Sequence, residues 1–163
     1  MKIVEVEYKL SSVINDVSNM IFFKAKEKNL SFVTDVDESI PDHLFGDVVR
    51  IRQVITNILN NAVKYTDKGS VTLSADACGE EQEKMLRLTV KDTGVGIDAE
   101  FLPRVFEVFA KEDTSTTSSR GGSGLGLAVT KSIVMKLGGQ ISAQSEKNKG
   151  STFTVLLPFK INI

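Results

Sequence analysis

Apolar positions along this chain change period several times, and the changes outline alternating strands and helices. IVEVEY (3–8) alternates every second residue, as a strand with one covered face does. From about Leu10 to Lys28 the apolar residues Leu10, Val13, Ile14, Val17, Ile21 and Ala25 recur at helical spacing. LSFVTDV (30–36) predicts a second strand, and ESIPDHLFGD (38–47), broken by proline and glycine, predicts a connector with Asp47 capping the next helix. That helix runs to about Tyr65. SVTLSAD (70–76) and MLRLTVKD (85–92) then alternate cleanly on either side of a polar, hairpin-like segment. After Asp92 a long stretch rich in Gly, Ser and Thr precedes renewed helical spacing at Leu127, Ile133, Val134 and Leu137, and GQISAQSE (139–146) and STFTVLLPF (151–159) predict two closing strands. The pattern predicts an α/β (α+β) two-layer sandwich, a mixed five- or six-stranded sheet with about three helices on one face, in a single domain over residues 1–163.

Composition narrows the function classes. With 41% apolar and 25% charged residues over 163 positions, one packed core is expected and no collagen-like or disordered bias is present. A net charge of −1 argues against general nucleic-acid binding, which calls for a basic stripe or an overall basic balance. Phosphate recognition must therefore be local. The single Cys78, beside Gly79 and near Glu80, Glu81 and Glu83, has no internal disulfide partner, as expected of a reduced cytoplasmic setting. No run reaches the roughly 20 apolar residues of a membrane span, so a soluble chain is expected, from a parent that is compatible with membrane anchoring.

The helix at 47–65 is where chemistry first enters. Its core face holds Val48, Ile51, Val54, Ile55, Ile58, Leu59 and Ala62, while Arg50, Gln53, Asn57, Asn61 and Lys64 form a narrow polar stripe. Asparagine is a poor helix former, and this helix has three within five positions: Asn57, Asn60 and Asn61. A solvated face would be better served by Glu, Lys or Gln. Asn57 and Asn61, one turn apart, place two neutral amide oxygens together with the Lys64 ammonium beyond them, a layout for Mg²⁺ shared with a phosphate chain. In DTGVGI (92–97) a carboxylate closes an alternating strand before Gly94 and Gly96. Read as a turn it is ordinary; read as a site, Asp92 accepts from an exocyclic amine, and the glycines let backbone approach a flat ring. Such an acceptor favours adenine over guanine, whose carbonyl oxygen would leave it unpaired.

The segment from Ile97 to Gly121 is too long for an ordinary connection, as lids, binding loops and disordered segments are. It contains a short helical stretch at 99–105, the apolar FEVF (106–109) with Phe106 and Phe109 as anchors, and AKEDTSTTSSRGG (110–122), whose Lys111 and Arg120 are candidates to reach phosphates. GGSGLGLAV (121–129) then opens a helix whose free N–H groups suit an anion. Alone this run is weak evidence: no G-K-[ST] follows it and no strand precedes it.

In chain order, NILNNAVKYT (57–66), DTGVGI, FEVF, GGSGLGLAV and GSTF (150–153) resemble the N, G1, F, G2 and G3 boxes of the catalytic ATP-binding domain of two-component sensor histidine kinases, including the hybrid kinases. That domain shares the Bergerat fold with the heat-shock chaperone, type II topoisomerase and mismatch-repair ATPases. The resemblance spans about residues 3–159. It implies ATP and Mg²⁺ as cofactors, with Asn57 and Asn61 as metal ligands and Lys64 and Tyr65 on the nucleotide. It further implies that Asp92 reads adenine and that Thr152 lies behind the base beside Asp92. Gly94, Gly96, Ile97, Phe109, Gly122, Gly124, Leu125, Gly126 and Leu127 would shape the pocket and the base of an ATP lid at about 98–123. Where the family often has an aromatic or Thr and then Arg or Gln after the F box, this chain has Ala110 and Lys111, so both Lys111 and Arg120 remain candidates for the γ-phosphate. Lys64, Lys111 and Arg120 are the expected catalytic cations.

The resemblance also implies a partner. Histidine kinases phosphorylate a histidine on a helical dimerisation domain, and His43 in IPDHLF matches no phosphoacceptor motif. The acceptor is therefore expected on a separate dimerisation domain of the same protein. A response-regulator receiver domain would act downstream, with a monomeric isolated domain and a homodimeric parent. Two other readings stand beside transfer: an ATP-binding regulatory module without transfer, and an ATPase using a glutamate in the asparagine helix, where DVVRIRQVITN supplies none.

Overall fold

In the computed structural model the described residues are 2–81, 83–108, 126–158 and 160–161. Strands β1 (Val6–Lys9), β2 (Ser31–Val36), β3 (His43–Gly46), β4 (Ser70–Cys78), β5 (Met85–Asp92), β6 (Gln140–Glu146) and β7 (Gly150–Pro158) alternate with helices α1 (Leu10–Glu27), α2 (Val48–Lys64) and α3 (Gly126–Lys136). Five strands form one mixed sheet in the order β2-β4-β5-β7-β6, in which only β2 and β4 run parallel. The remaining two, β1 and β3, pair antiparallel as a separate ribbon. The connector expected at 38–47 thus contains a strand. Its HLFG alternates too briefly to stand out, and only pairing with β1 gives its backbone groups partners. The helix expected at 99–105 reduces to a 3-10 turn at Leu102–Arg104, with Pro103 in it.

Period two decides which face is covered. Val71, Leu73 and Ala75 of β4, Leu86, Leu88 and Val90 of β5, and Phe153, Val155 and Leu157 of β7 are all buried. They join Val17 and Ile21 of α1, Val54, Ile58 and Leu59 of α2, and Ile133 and Val134 of α3 in one core. At about 1.5–3 kcal/mol for each large side chain taken out of water, these rows are what hold helices to sheet. The intervening residues make a polar outer face, on which Arg87 grips Asp76 across β5 and β4 through Nε and one Nη, each on a different carboxylate oxygen.

Two contacts fix the ends of α2, the helix bearing the asparagines. At its start the buried Asp47 carboxylate accepts from Arg50 N at 3.1 Å and Val4 N at 3.0 Å, as the sequence predicts for a cap. At its end the Lys28 ammonium donates to Val63 O at 2.7 Å and Lys64 O at 3.3 Å, placing a cation on the negative end of the helix.

Candidate functional site

Asp92 belongs by register to the inward row of β5, continuing Leu86, Leu88 and Val90, so a carboxylate occupies a core-facing position and is only 5% exposed. Its Oδ1 accepts two backbone N–H groups, Gly94 N at 2.9 Å and Ser151 N at 3.2 Å. Oδ2 has no partner among the described residues. Burial pushes the carboxyl pKa above the ordinary aspartate range, and the two N–H bonds only partly offset this. A buried carboxylate oxygen with unused acceptor capacity is what an exocyclic amine needs.

The loop after Asp92 is fastened at every step. Thr93 N donates to Ser70 O at 3.1 Å, Val95 N to Tyr65 O at 3.0 Å, and Asn148 N to Val95 O at 2.7 Å. Ile97 N donates to Ser145 Oγ at 2.7 Å. The two glycines serve this packing. A Cβ on Gly94 would overlap the Tyr65 carbonyl oxygen and come within 2.8 Å of Thr66 Oγ1. One on Gly96, at φ +72°, would overlap the Glu146 carbonyl oxygen. The space they leave is thus filled by the protein's own backbone, from the end of α2 and the turn before β7, and the ring-approach argument from sequence is replaced by a packing one.

Ser151, rather than Thr152, stands beside Asp92. The register pairs Asp92 with Ser151 and Lys91 with Thr152, so Thr152 points to the outer face of the sheet and is corrected out of the position expected behind the base. Ser145 Oγ donates to Gly150 O at 2.9 Å, so its lone pairs receive Ile97 N–H and the Ser151 hydroxyl at 2.8 Å. The alternation that puts Phe153 and Val155 inside puts Ser151 inside as well; this was readable from the sequence.

Along α2 the stripe of Arg50, Gln53, Asn57, Asn61 and Lys64 is half-buried throughout, unlike a solvated face. Asn57 Nδ2 donates to Thr130 Oγ1 of α3 at 3.2 Å, and Thr130 Oγ1 donates to Gly126 O at 2.7 Å. The Asn57 Oδ1 and the Asn61 carboxamide have no hydrogen-bond partner among the described residues. The third asparagine has a different reason to be there: Asn60 Oδ1 accepts from Lys24 Nζ at 2.8 Å and ties α2 to α1. The Lys64 ammonium lies 5.4 Å from the centroid of the Tyr65 ring, and both residues are half-buried at the end of α2. Among the described residues no three carboxylate, histidine or cysteine side chains gather to hold a metal. The amide oxygens of Asn57 and Asn61 fit Mg²⁺ only as a site completed by phosphate oxygens.

Leu127 and Ile97 pack at the edge of the core, and Gly126 opens α3. Phe106 packs edge-on to Phe153 at 6.1 Å, with Lys131 Nζ 5.7 Å from its ring centroid. Phe109, Lys111, Arg120, Gly122, Gly124 and Leu125 lie outside the described residues, as does most of the expected lid. His43 is exposed on β3, its Nδ1 3.1 Å from Glu7 Oε1. No helix among the described residues is long and apolar enough to cross a membrane.

The structure thus sets a mixed sheet behind three helices, with a buried carboxylate beside the C-terminal end of α2 and, along that helix, amide oxygens without a partner among the described residues. The family model for histidine kinase-, DNA gyrase B- and HSP90-like ATPases matches residues 46–161, and the chain belongs to that family. Within it the likeness is to histidine kinase catalytic ATP-binding domains. The chain is 31% identical over 158 residues to signal transduction histidine-protein kinase BarA of Escherichia coli (strain K12), covering 96% of this chain and 17% of the relative. It is 36% identical over 155 residues to hybrid signal transduction histidine kinase L of Dictyostelium discoideum, covering 94% of this chain and 9% of that protein. Its fold matches full-length ShkA, crystallised in complex with AMPPNP, at a TM-score of 0.86 and 27% identity, over 99% of this chain and 32% of that one. The chain thus spans less than a fifth of the length of these two kinases.

Proposed function

We propose that this chain binds Mg-ATP between α2, the 92–97 loop and the start of α3, and transfers the γ-phosphoryl group to a histidine on a separate dimerisation domain of the same protein. The observation that supports this most is the Asp92 corner: a buried carboxylate with one oxygen twice bonded and the other open to an adenine amine. Asn57 and Asn61 would hold Mg²⁺ through amide oxygens. Bound there, the ion would supply charge neutralisation on the phosphate chain. Lys64, with Lys111 or Arg120 as second cation, would steady the same charge, and the nucleophile is the acceptor's imidazole nitrogen.

The residues of α2 favour transfer over hydrolysis. VVRIRQVITNILNNAVK contains no carboxylate, so the helix offers no general base to activate water. The phosphohistidine would then pass its phosphoryl group to a receiver domain, and the parent would be a homodimer around the helical domain, with residues 1–163 as one catalytic unit. The test is transfer in trans. Incubated with a histidine-bearing dimerisation domain of the parent protein and Mg-ATP, the chain should yield acid-labile phosphohistidine. Nucleotide binding without any transfer would leave a regulatory module, and sustained phosphate release by the chain alone would indicate an ATPase.

A further inference from the structure

The hydrogen bond that joins α3 to α2 settles which way the Asn57 carboxamide faces. Thr130 is fully buried, and its hydroxyl lies 2.7 Å from Gly126 O and 3.2 Å from the Asn57 side chain. A hydroxyl has one proton, and a backbone carbonyl can only accept, so the proton of Thr130 goes to Gly126 O. Toward Asn57 the hydroxyl therefore has only lone pairs to offer. It must meet the NH₂ end of the carboxamide, and the oxygen is turned to the opposite side. A rotation of 180° would set the amide oxygen against an oxygen whose proton is already engaged, leaving a half-buried NH₂ and a repulsive contact in its place.

We infer that Thr130 is a positioning residue for the cation site, fixing the Asn57 amide so that its oxygen, rather than its nitrogen, faces the metal. The inference rests on the proposed Mg-ATP site. A hard cation accepts only the oxygen of an amide, so an asparagine free to flip would present the wrong atom part of the time. The relay also ties that orientation to the first turn of α3, because the Gly126 carbonyl and the Thr130 hydroxyl face each other only when residues 126–130 are helical. The metal ligand on α2 is in this way made to depend on how the glycine run ends.

The test separates metal from nucleotide. ATP affinity of the chain is measured by calorimetric titration with excess Mg²⁺ and again with EDTA, for the unaltered chain, Thr130→Val, Thr130→Ala and Thr130→Ser. Thr130→Val and Thr130→Ala should bind ATP in EDTA as the unaltered chain does, which also reports that they fold. Both should lose roughly tenfold or more of the affinity that Mg²⁺ adds, the usual scale for removing the partner of a metal ligand. Thr130→Ser, which keeps the hydroxyl, should retain the Mg²⁺ gain. Full Mg²⁺ gain in either hydroxyl-free variant, or equal loss in Thr130→Ser, overturns the inference. An Asp92→Asn chain that binds ATP in EDTA undiminished would instead overturn the nucleotide site itself, whatever Thr130 does.

Discussion

The corner beside the C-terminal end of α2 and the polar stripe along the helix hold their functional groups by different means. At the C-terminal end, Asp92 and its loop are fastened by backbone: N–H groups of Gly94 and Ser151 on the carboxylate, Tyr65 O under Val95, Val95 O under Asn148. Along the stripe, Asn57 is held by one side-chain bond, and the Asn61 carboxamide in the last turn projects from α2 without a hydrogen bond among the described residues. Backbone-built sites are stiff and intolerant of added atoms, whereas side-chain-built sites tolerate substitution in the fold and lose only their chemistry. Recognition of the base should therefore be coupled to stability, and handling of the phosphates should not.

The contrast is sharpest at Gly94. Gly94→Ala forces a Cβ into the Tyr65 carbonyl, and we expect a loss of about 2–3 kcal/mol, seen as a lower urea midpoint. Asn61→Ala, at a half-buried helix position with no side-chain hydrogen bond among the described residues and a better helix former, should leave that midpoint unchanged or slightly higher. Equal destabilisation by the two would remove the distinction.

A smaller effect follows from titration of Asp92. Its pKa is raised by burial, so protonation begins at higher pH than for an ordinary aspartate near 3.9. Protonated, the carboxyl loses acceptor capacity for an amine, and ATP affinity should fall as pH drops through that raised value. The stability term has the opposite sign. The fold holds the proton more tightly than the unfolded chain, so this group's contribution is fully present below the ordinary aspartate range and is lost as pH rises through the raised pKa. Affinity measured against pH, beside an Asp92→Asn chain that should show no such dependence, checks this. Least is expected of Thr152→Val on the outer face: nucleotide affinity should not change, while Ser151→Ala, which removes a donor to Ser145, should weaken it a few-fold.

Much of this was legible in the chain itself. Helical spacing located α1 and α2, alternation located β4, β5 and β7, and the Asp47 cap appeared where expected. What escaped had physical causes. The strand β3 has four residues and depends on β1 for its pairing, so no local pattern announces it. Asn60 adds to the density of asparagines in α2, yet it lies outside the stripe and answers to Lys24 on another helix. Thr130 lies 73 positions from Asn57, and no spacing rule links them. Thr152 is different, since counting by twos from Phe153 already assigned it to the wrong face. The sequence reads the glycines of DTGVGI as room for a flat ring, whereas what a Cβ there would meet is backbone from Tyr65 and Glu146, which no local pattern announces.

Whether the buried Asp92 reads adenine, as proposed, is decided by one titration: ATP binding by the chain against binding by Asp92→Asn, with thermal unfolding of both in the absence of nucleotide. Asn keeps an acceptor for the Gly94 and Ser151 N–H groups but sets an NH₂ against the adenine amine. It also removes a charge from a 5% exposed site. The Asp92→Asn chain should unfold at the same or a higher temperature and bind ATP about tenfold to a hundredfold more weakly, the scale of one hydrogen bond to a charged group. Undiminished ATP binding by a folded Asp92→Asn chain would contradict that role.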